Sequence, residues 1–359
     1  MTKLGVLFSV LGVGAGCIPA FAQKQLPNII VMLSDDQGWG DLGFTGNTFV
    51  QTPNIDRIAH EGTILENFYV CPVSSPTRAE FLTGRYHVRS GVNSTTGGGE
   101  RFNLGEKTIA EYFREAGYAT SLFGKWHSGT QYPYHPNARG FEEFYGFCSG
   151  HWGNYWNPVL EHNGEIISGE GFIIDDLTDK ALDYIRDHKE HPFFMFLSYN
   201  TPHSPMQVPD SWWNRVKDRT LSQRATFPEQ EDTTFTKAAL ALAENLDWNI
   251  GRVLSLLHSL DLEQETIVIY FSDNGPNSFR WNGGMKGRKG STDEGGVRSP
   301  FCIRWPGHIR KEAVETQLSG AIDLIPTLLG LAGIEYTPLR KLDGIDWGQR
   351  LLDEKAPAM

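Results

Sequence analysis

Five apolar runs punctuate the chain, and each reads as a β-strand. Asn28–Leu33 is almost continuously apolar, the pattern of a strand buried on both faces, and it stops at Ser34-Asp35-Asp36. "YATSLFGKWH" ends at Lys125 and His127, and "PFFMFLSYNTPHSP" runs into His203. "ETIVIYFSDNGP" stops at Asp273-Asn274, and "PFCIRWPG" is the fifth run. Between them the apolar period changes to that of a helix. Ile109, Tyr112, Phe113 and Ala116 share one face of Lys107–Ala116, and Gly117 follows as a stop. Leu177, Ala181, Tyr184, Ile185 and His188 repeat the pattern, as do Leu240, Ala243, Leu246, Ile250, Val253, Leu254 and Leu257 within Thr236–Leu260. Ile322–Leu331 predicts a further helix. The alternation predicts an α/β fold whose sheet is covered on both faces. The polar, Gly-rich connections 88–106 and 275–299 read as functional loops rather than domain linkers. Internal repeats and low-complexity blocks are absent from the sequence.

Four of the apolar runs end in ionisable or polar residues: Asp35/Asp36, Lys125/His127, His203 and Asp273/Asn274. Open α/β sheets bind ligands beyond the carboxyl ends of their strands. Parallel, neighbouring strands would therefore bring all four clusters to one site. Any one cluster is as well explained by a cap or turn. Four together are not.

Composition narrows the picture. The 359 residues carry a net charge of −11, which weighs against nucleic-acid binding, and are 40% hydrophobic and 21% charged, as in a folded soluble protein. The N-terminus, "MTKLGVLFSVLGVGAGCIPAFAQKQ", has an early lysine, an apolar run and a small-residue Ala-Phe-Ala site. It predicts a signal peptide over 1–22 and export to the periplasm. Acylation of Cys17 is the weaker alternative, because Gly14 stands where a lipoprotein signal has a large aliphatic residue. No other span is apolar enough to cross a membrane, so the mature chain should have no transmembrane segment. With Cys17 removed, Cys71, Cys148 and Cys302 remain, which allows one disulfide at most.

Asp35, Asp36, Asp273 and Asn274 offer only oxygen ligands. That set suits a hard cation, Ca²⁺ or Mg²⁺, rather than zinc. Arg78, Lys125, Lys289, His127 and His203 would line a pocket for a tetrahedral oxyanion ester, sulfate or phosphate. In "NFYVCPVSSPTRAEFLTGRY" the candidate nucleophiles are Cys71, Ser74, Ser75 and Thr77. "TRAEFLTG" predicts a helix ending at Gly84, with Pro76 in its first turn. Ser74 or Ser75 would then lie at the N-terminus, where free N–H groups attract an anion, or Ser74 would simply cap the helix.

The sequence resembles the type I sulfatases, whose fold is that of alkaline phosphatase. Their signature is Cys or Ser, any residue, Pro, any residue, Arg, then a short helix and "TG". Ser74-Ser75-Pro76-Thr77-Arg78 fits it and continues through Leu82-Thr83-Gly84, whereas Cys71 and Ser75 fall out of register. "LSDDQGWGDLGFTGN", "TPNIDRIAHEG", "GYATSLFGKWH", "TPHSP", "SDNG" and "KGSTDEGGVRSPF" are also similar to the family and occur in its order, over about 27–347.

The resemblance implies an α/β/α sandwich around a large, mixed, mostly parallel sheet. The catalytic domain would span 23–359, with the family's small C-terminal subdomain truncated, since the chain ends soon after "LDGIDWGQRLL". It implies that Asp35, Asp36, Asp273, Asn274 and the modified Ser74 side chain hold Ca²⁺. Ser74 is the residue oxidised to Cα-formylglycine. Arg78 and Lys125 hold the hydrated aldehyde, and His127 takes its proton. His203 and Lys289 bind the sulfate ester and assist departure of the alcohol. One hydroxyl of the hydrate would attack sulfur, leaving a covalent sulfo-enzyme, and the second would expel sulfate. A serine at this position implies a radical-SAM sulfatase-maturating enzyme as partner. The implied substrates are sulfated carbohydrates or aryl sulfates. Trp152, Tyr155, Trp156 and His151, with Trp212 and Trp213, are candidates for a sugar-stacking rim. The alternatives are a phosphodiesterase or phosphonate monoester hydrolase of the same superfamily, or an inactive glycan-binding relative.

Overall fold

A computed structural model describes residues 1–2 and 26–357. All but the first two residues of the predicted signal segment lie outside the described residues. Twelve strands follow in chain order: β1 Asn28–Asp35, β2 Thr63–Leu65, β3 Phe68–Tyr69, β4 Ala119–Lys125, β5 Glu143–Phe147, β6 Val159–His162, β7 Glu165–Ser168, β8 Phe193–Pro202, β9 Thr266–Ser272, β10 Phe301–Arg304, β11 Ala313–Glu315 and β12 Ser319–Gly320. Ten form one sheet in the order β11-β2-β10-β9-β1-β8-β4-β5-β6-β7, and β12 pairs with β3.

The middle of the sheet is parallel. β1 lies between β8 and β9, and β4 lies beyond β8, all running the same way. β10 runs antiparallel to β9, and β5, β6 and β7 form an antiparallel edge. The sheet is thus mixed and mostly parallel, as expected.

Alternating side chains explain why β1 is apolar from Ile29 to Leu33. Ile29, Val31 and Leu33 face one layer, with Ala79, Phe81, Ile109, Phe113 and Leu328. Ile30 and Met32 face the other, with Ile55, Leu177, Ala181, Leu246 and Ile250. Helices Ser74–Thr83, Ile109–Glu115 and Leu324–Ala332 cover the first face; Pro53–His60, Ile173–Asp187 and Thr233–Ser259 cover the second. The result is an α/β/α sandwich. Each of the buried Val, Leu, Ile, Met and Phe side chains contributes about 1.5–3 kcal/mol relative to exposure, and each alanine methyl about 0.8 kcal/mol.

Element boundaries differ from the expectation where caps decide them. The helix expected from Lys107 begins at Ile109, because Thr108 and Glu111 form a reciprocal capping box. The long helix begins at Thr233 rather than Thr236, because the Asp232 carboxylate accepts from the N–H groups of Thr234 and Phe235. No helix among the described residues is long and apolar enough to cross a membrane.

Candidate active site

The strand order β9-β1-β8-β4 sets the carboxyl ends of four parallel strands side by side. Asp35 ends β1, Lys125 ends β4, His203 follows β8, and Asp273 follows β9. The expected convergence is therefore present. These residues, with Ser74, Arg78, His127, Asn274 and Lys289, form one network.

Ser74 is the first residue of helix Ser74–Thr83, and Val73 occupies the cap position. The Ser74 side chain does not cap the helix. Its hydroxyl donates to Asp273 Oδ2 at 2.5 Å and accepts from Arg78 Nε at 2.8 Å. Ser75 turns elsewhere and donates to the Ser94 carbonyl at 2.9 Å. Gly84 closes the helix in the left-handed conformation at φ 64°, as the "TG" sequence predicts. Cys71 is buried and unpaired, and burial pushes its thiol well above the usual range, as expected of a thiol outside the chemistry. Cys148 and Cys302 are free as well, so no disulfide forms among these three.

Each carboxylate of the cluster faces a cation. Lys125 Nζ is 2.7 Å from Asp35 Oδ2, Lys289 Nζ is 2.6 Å from Asp36 Oδ1, and Arg78 Nη2 is 3.0 Å from Asp273 Oδ2. Burial opposes ionisation of Asp35, but the positive groups around it, Lys125 first and then His203, Arg78 and Lys289, together outweigh it and hold the carboxyl below its usual range. Asp273 is raised, by burial and by the neighbouring Asp35 charge. Burial also opposes the charge on Lys289, but Asp36 and Asp35 raise it overall.

The histidines have assignable tautomers. His203 Nδ1 lies 2.7 Å from the Ser204 carbonyl, which can only accept, so Nδ1 carries the proton. Its Nε2 then faces Asp36 Oδ2 at 3.6 Å. Likewise His127 Nε2 donates to the Thr95 carbonyl at 2.9 Å, leaving Nδ1 with a lone pair and no hydrogen-bond partner. Burial and the Lys125 charge lower the His127 pKa from 6.5 to about 3.

The donor set fits a hard cation. Asp35 Oδ1, Asp36 Oδ2 and Asn274 Oδ1 are buried oxygens without a hydrogen-bond partner, a costly arrangement unless something positive binds there. Asn274 donates its amide N–H to Asp36 Oδ1 at 2.8 Å, which leaves its oxygen as the free donor atom.

These groups border a cavity of roughly 410 Å³ lined by Ser74, Lys125, His127, His203 and Lys289, and by Thr95, Thr96, Ser149, Gly150 and His151. The last five went unread in the sequence as site residues, except His151. Thr95 and Thr96 belong to loop 88–106 and Lys289 to loop 275–299, the two connections expected to be functional. Gly150 is required by space, since a Cβ there would come within 2.2 Å of His127 Nε2. A larger cleft of about 720 Å³ lies beside Ala119, at the amino end of β4, and contains none of these residues.

The aromatic rim needs correction. Tyr155 is buried, its hydroxyl donating to the His203 carbonyl at 2.5 Å, and Trp152 stacks on Phe147. Trp156 packs on Phe172, and Trp212 and Trp213 pack against a separate core cluster with Val216 and Leu240. Only His151 reaches the cavity.

A buried ion pair that sequence reasoning missed supports the site. Arg280 Nε and Nη2 grip Asp41 at 2.8 and 2.6 Å, and Nη2 also donates to the Asp36 carbonyl at 3.0 Å. Asp36 sits at φ 66°, a conformation that needs such support.

The family model described as Sulfatase matches residues 27–334. The chain belongs to the sulfatase family. It is a sulfuric ester hydrolase. Pig (Sus scrofa) N-acetylgalactosamine-6-sulfatase is 32% identical over an alignment of 377 residues that covers 95% of this chain and 68% of the relative. Among solved structures, Ps i-CgsB in complex with k-i-k-neocarrahexaose is similar with a TM-score of 0.80 at 32% identity, covering 91% of this chain and 76% of that one. A Bacteroides thetaiotaomicron sulfatase described with the metabolism of multiple glycosaminoglycans has a TM-score of 0.81 at 26% identity, covering 93% and 78%. The fold of this sulfatase is accordingly that of the alkaline-phosphatase-like superfamily.

Proposed function

We propose that this sulfatase cleaves the sulfate ester of a sulfated carbohydrate, using a Cα-formylglycine formed from Ser74 and a Ca²⁺ ion held by Asp35, Asp36, Asp273, Asn274 and the modified Ser74 side chain. The observation that carries the reading is the shared cavity of Ser74, Lys125, His127, His203 and Lys289 beside three buried oxygens that lack partners. The names of the similar proteins, an N-acetylgalactosamine-6-sulfatase and a neocarrahexaose complex, support a sugar substrate.

A serine hydroxyl is a weak nucleophile, and the hydrated aldehyde supplies two hydroxyls, one to attack sulfur and one to expel sulfate. The chain's own groups then divide the work. Arg78, already 2.8 Å from Ser74 Oγ, orients that side chain and stabilises negative charge on it. His127 is neutral at physiological pH and has a free lone pair on Nδ1, so it can accept a proton. Lys289 and His203 face Asp36 from the cavity side and can bind the ester; the Lys289 ammonium can protonate the leaving oxygen, and His203 can do so when Nε2 carries a second proton beside the one on Nδ1. Ca²⁺ would offset the mutual repulsion of the Asp35, Asp36 and Asp273 carboxylates and polarise an oxygen bound at Ser74.

Because the encoded residue is serine, activity should require a radical-SAM maturase, and the N-terminal sequence supports export to the periplasm. Parallel assays on an aryl sulfate and an aryl phosphate diester, with matured, calcium-loaded protein, test the reading. Turnover of the sulfate should dominate. A dominant diester rate overturns it in favour of a phosphodiesterase or phosphonate monoester hydrolase, and binding of sulfated glycans without turnover in protein shown to be matured overturns the catalytic reading altogether.

A further inference from the structure

A second cluster of metal-ligating side chains lies on the far side of the helix that carries Ser74. Cys71 precedes the helix, Glu80 stands in its last turns, and His87 begins the short helix that follows. The Cys71 sulfur, a Glu80 carboxylate oxygen and a His87 ring nitrogen all lie within 4.8 Å of one another. Cys71 and Glu80 are buried, and both line a cavity of about 520 Å³ that also reaches Asp323 and Asp343. Sulfur, imidazole and carboxylate together form a donor set of borderline softness, unlike the all-oxygen set at Asp35 and Asp36.

The state of the histidine distinguishes this cluster from a superficially similar one. His87 Nδ1 is 2.9 Å from the Val92 carbonyl, which can only accept, so Nδ1 holds the proton and Nε2 keeps a lone pair. A backbone carbonyl that fixes the tautomer in this way is the usual outer partner of a metal-bound histidine. His135, Cys148 and Glu161 also lie close together. There, however, the Asn137 N–H donates to His135 Nδ1 at 3.3 Å, so Nε2 carries the proton and spends it on Glu161 at 2.5 Å. The imidazole proton there is committed to the carboxylate, and Nδ1 is already accepting. At Cys71 the Glu80 carboxylate also accepts hydrogen bonds, from the His87 backbone N–H at 3.2 Å and from the Cys71 thiol, so the difference lies in the His87 ring, whose proton goes to Val92 and whose Nε2 lone pair is left for an ion.

We propose that Cys71, Glu80 and His87 bind a Zn²⁺ ion. On binding, the Cys71 thiol releases its proton to solvent, and the thiolate sulfur, one Glu80 oxygen and the neutral His87 nitrogen each donate a lone pair. A water from the adjoining cavity completes four ligands. Tetrahedral zinc, with bonds of roughly 2.0–2.3 Å, draws donors to about 3.5 Å of one another. Side-chain rotation of Glu80 and His87 supplies that approach. The ion would clamp the segment before Ser74 to the far end of its helix and to the next one.

Cobalt(II) titration of the full-length protein, in excess Ca²⁺ to occupy the oxygen site, tests this. A thiolate ligand gives Co²⁺ an intense near-ultraviolet charge-transfer band that oxygen ligands cannot give. One equivalent of Co²⁺ should produce the band and Zn²⁺ should displace it. It should vanish in Cys71→Ala, and in Cys71→Ser should the alanine variant not fold. It should persist in Cys148→Ala, and His87→Ala should weaken Co²⁺ binding at least about tenfold. No band in the wild type, a band that survives loss of the Cys71 sulfur or disappears in Cys148→Ala, or unchanged affinity in His87→Ala overturns the proposal and leaves a hydrogen-bonded thiol.

Discussion

Ser74 Oγ stands 2.5 Å from Asp273 Oδ2, across the gap between the start of a helix and the end of a central strand. The two residues are 199 positions apart in the chain. The contact joins the proposed nucleophile position to the proposed metal-ligand set, and Arg78 bonds to both partners. Ser74→Ala should therefore lower kcat by at least about 10³-fold, as loss of a nucleophile does in other hydrolases. Mass spectrometry of peptide 68–85 from anaerobically matured protein should show loss of two hydrogens at Ser74. Loss at Ser75 or Cys71 instead would place the reactive residue elsewhere.

Arg78 and Asp273 are both fully buried, at 0% side-chain exposure each. Removing one partner of such a pair strands the other's charge in a poor solvent. Arg78→Met leaves Asp273 beside Asp35, whose charge already raises its pKa. Denaturant unfolding should show a loss of about 3–5 kcal/mol. Arg78 also donates to the Lys125 carbonyl at 3.0 Å and to Ser198 Oγ at 2.6 Å, so the loss extends to the end of β4. A loss below about 1 kcal/mol would mean that the pair's desolvation cost cancels its attraction.

What the sequence disclosed, and what it withheld, follows from the range of each interaction. Strands buried on both faces are predominantly apolar, so β1, β4, β8 and β9 announce themselves, and their polar ends mark the site. Ser74 could be separated from Cys71 and Ser75 because the distinction lies in local spacing to Pro76 and Arg78. Arg280 could not be assigned to Asp41, 239 positions away, because no local pattern records such a pairing. Thr95 is invisible for a related reason, as it meets His127 through its backbone carbonyl rather than its side chain. Of the expected aromatic rim only His151 lines the cavity, because tryptophan and tyrosine are used alike in cores and on sugar-binding surfaces, and only packing separates Tyr155 in the core from His151 in the cavity.

His127 links pH to stability in a defined direction. Its pKa falls from 6.5 to about 3 on folding, so between these values the unfolded chain binds a proton that the folded chain does not. Stability then rises with pH across that window, and the contribution is complete above about 6.5. His127→Gln should flatten the slope of unfolding free energy between pH 6.5 and 3, measured by urea titration at several pH values. The same variant should reduce kcat by roughly 10²–10⁴-fold, the usual contribution of a general base. An unchanged slope would show that His127 is already protonated in the native state.

Arg280 provides a test of support around the proposed metal site, because it touches neither Ser74 nor the cavity lining. Its guanidinium holds Asp41 through two nitrogens and the Asp36 carbonyl through one of them, fixing Asp36 at φ 66°. Lysine cannot reproduce that planar fork. Arg280→Lys should keep the fold, as judged by circular dichroism, and weaken Ca²⁺ about 10–100-fold, the usual effect of losing an outer partner of a ligand. Activity should return at high Ca²⁺, since no group that meets substrate has been removed. Calcium titration of the matured protein, followed by both calorimetry and turnover, separates the outcomes. Wild-type Ca²⁺ affinity in Arg280→Lys would exclude Arg280 as the support for Asp36, whereas lost activity that calcium cannot restore would give Arg280 a role in catalysis itself.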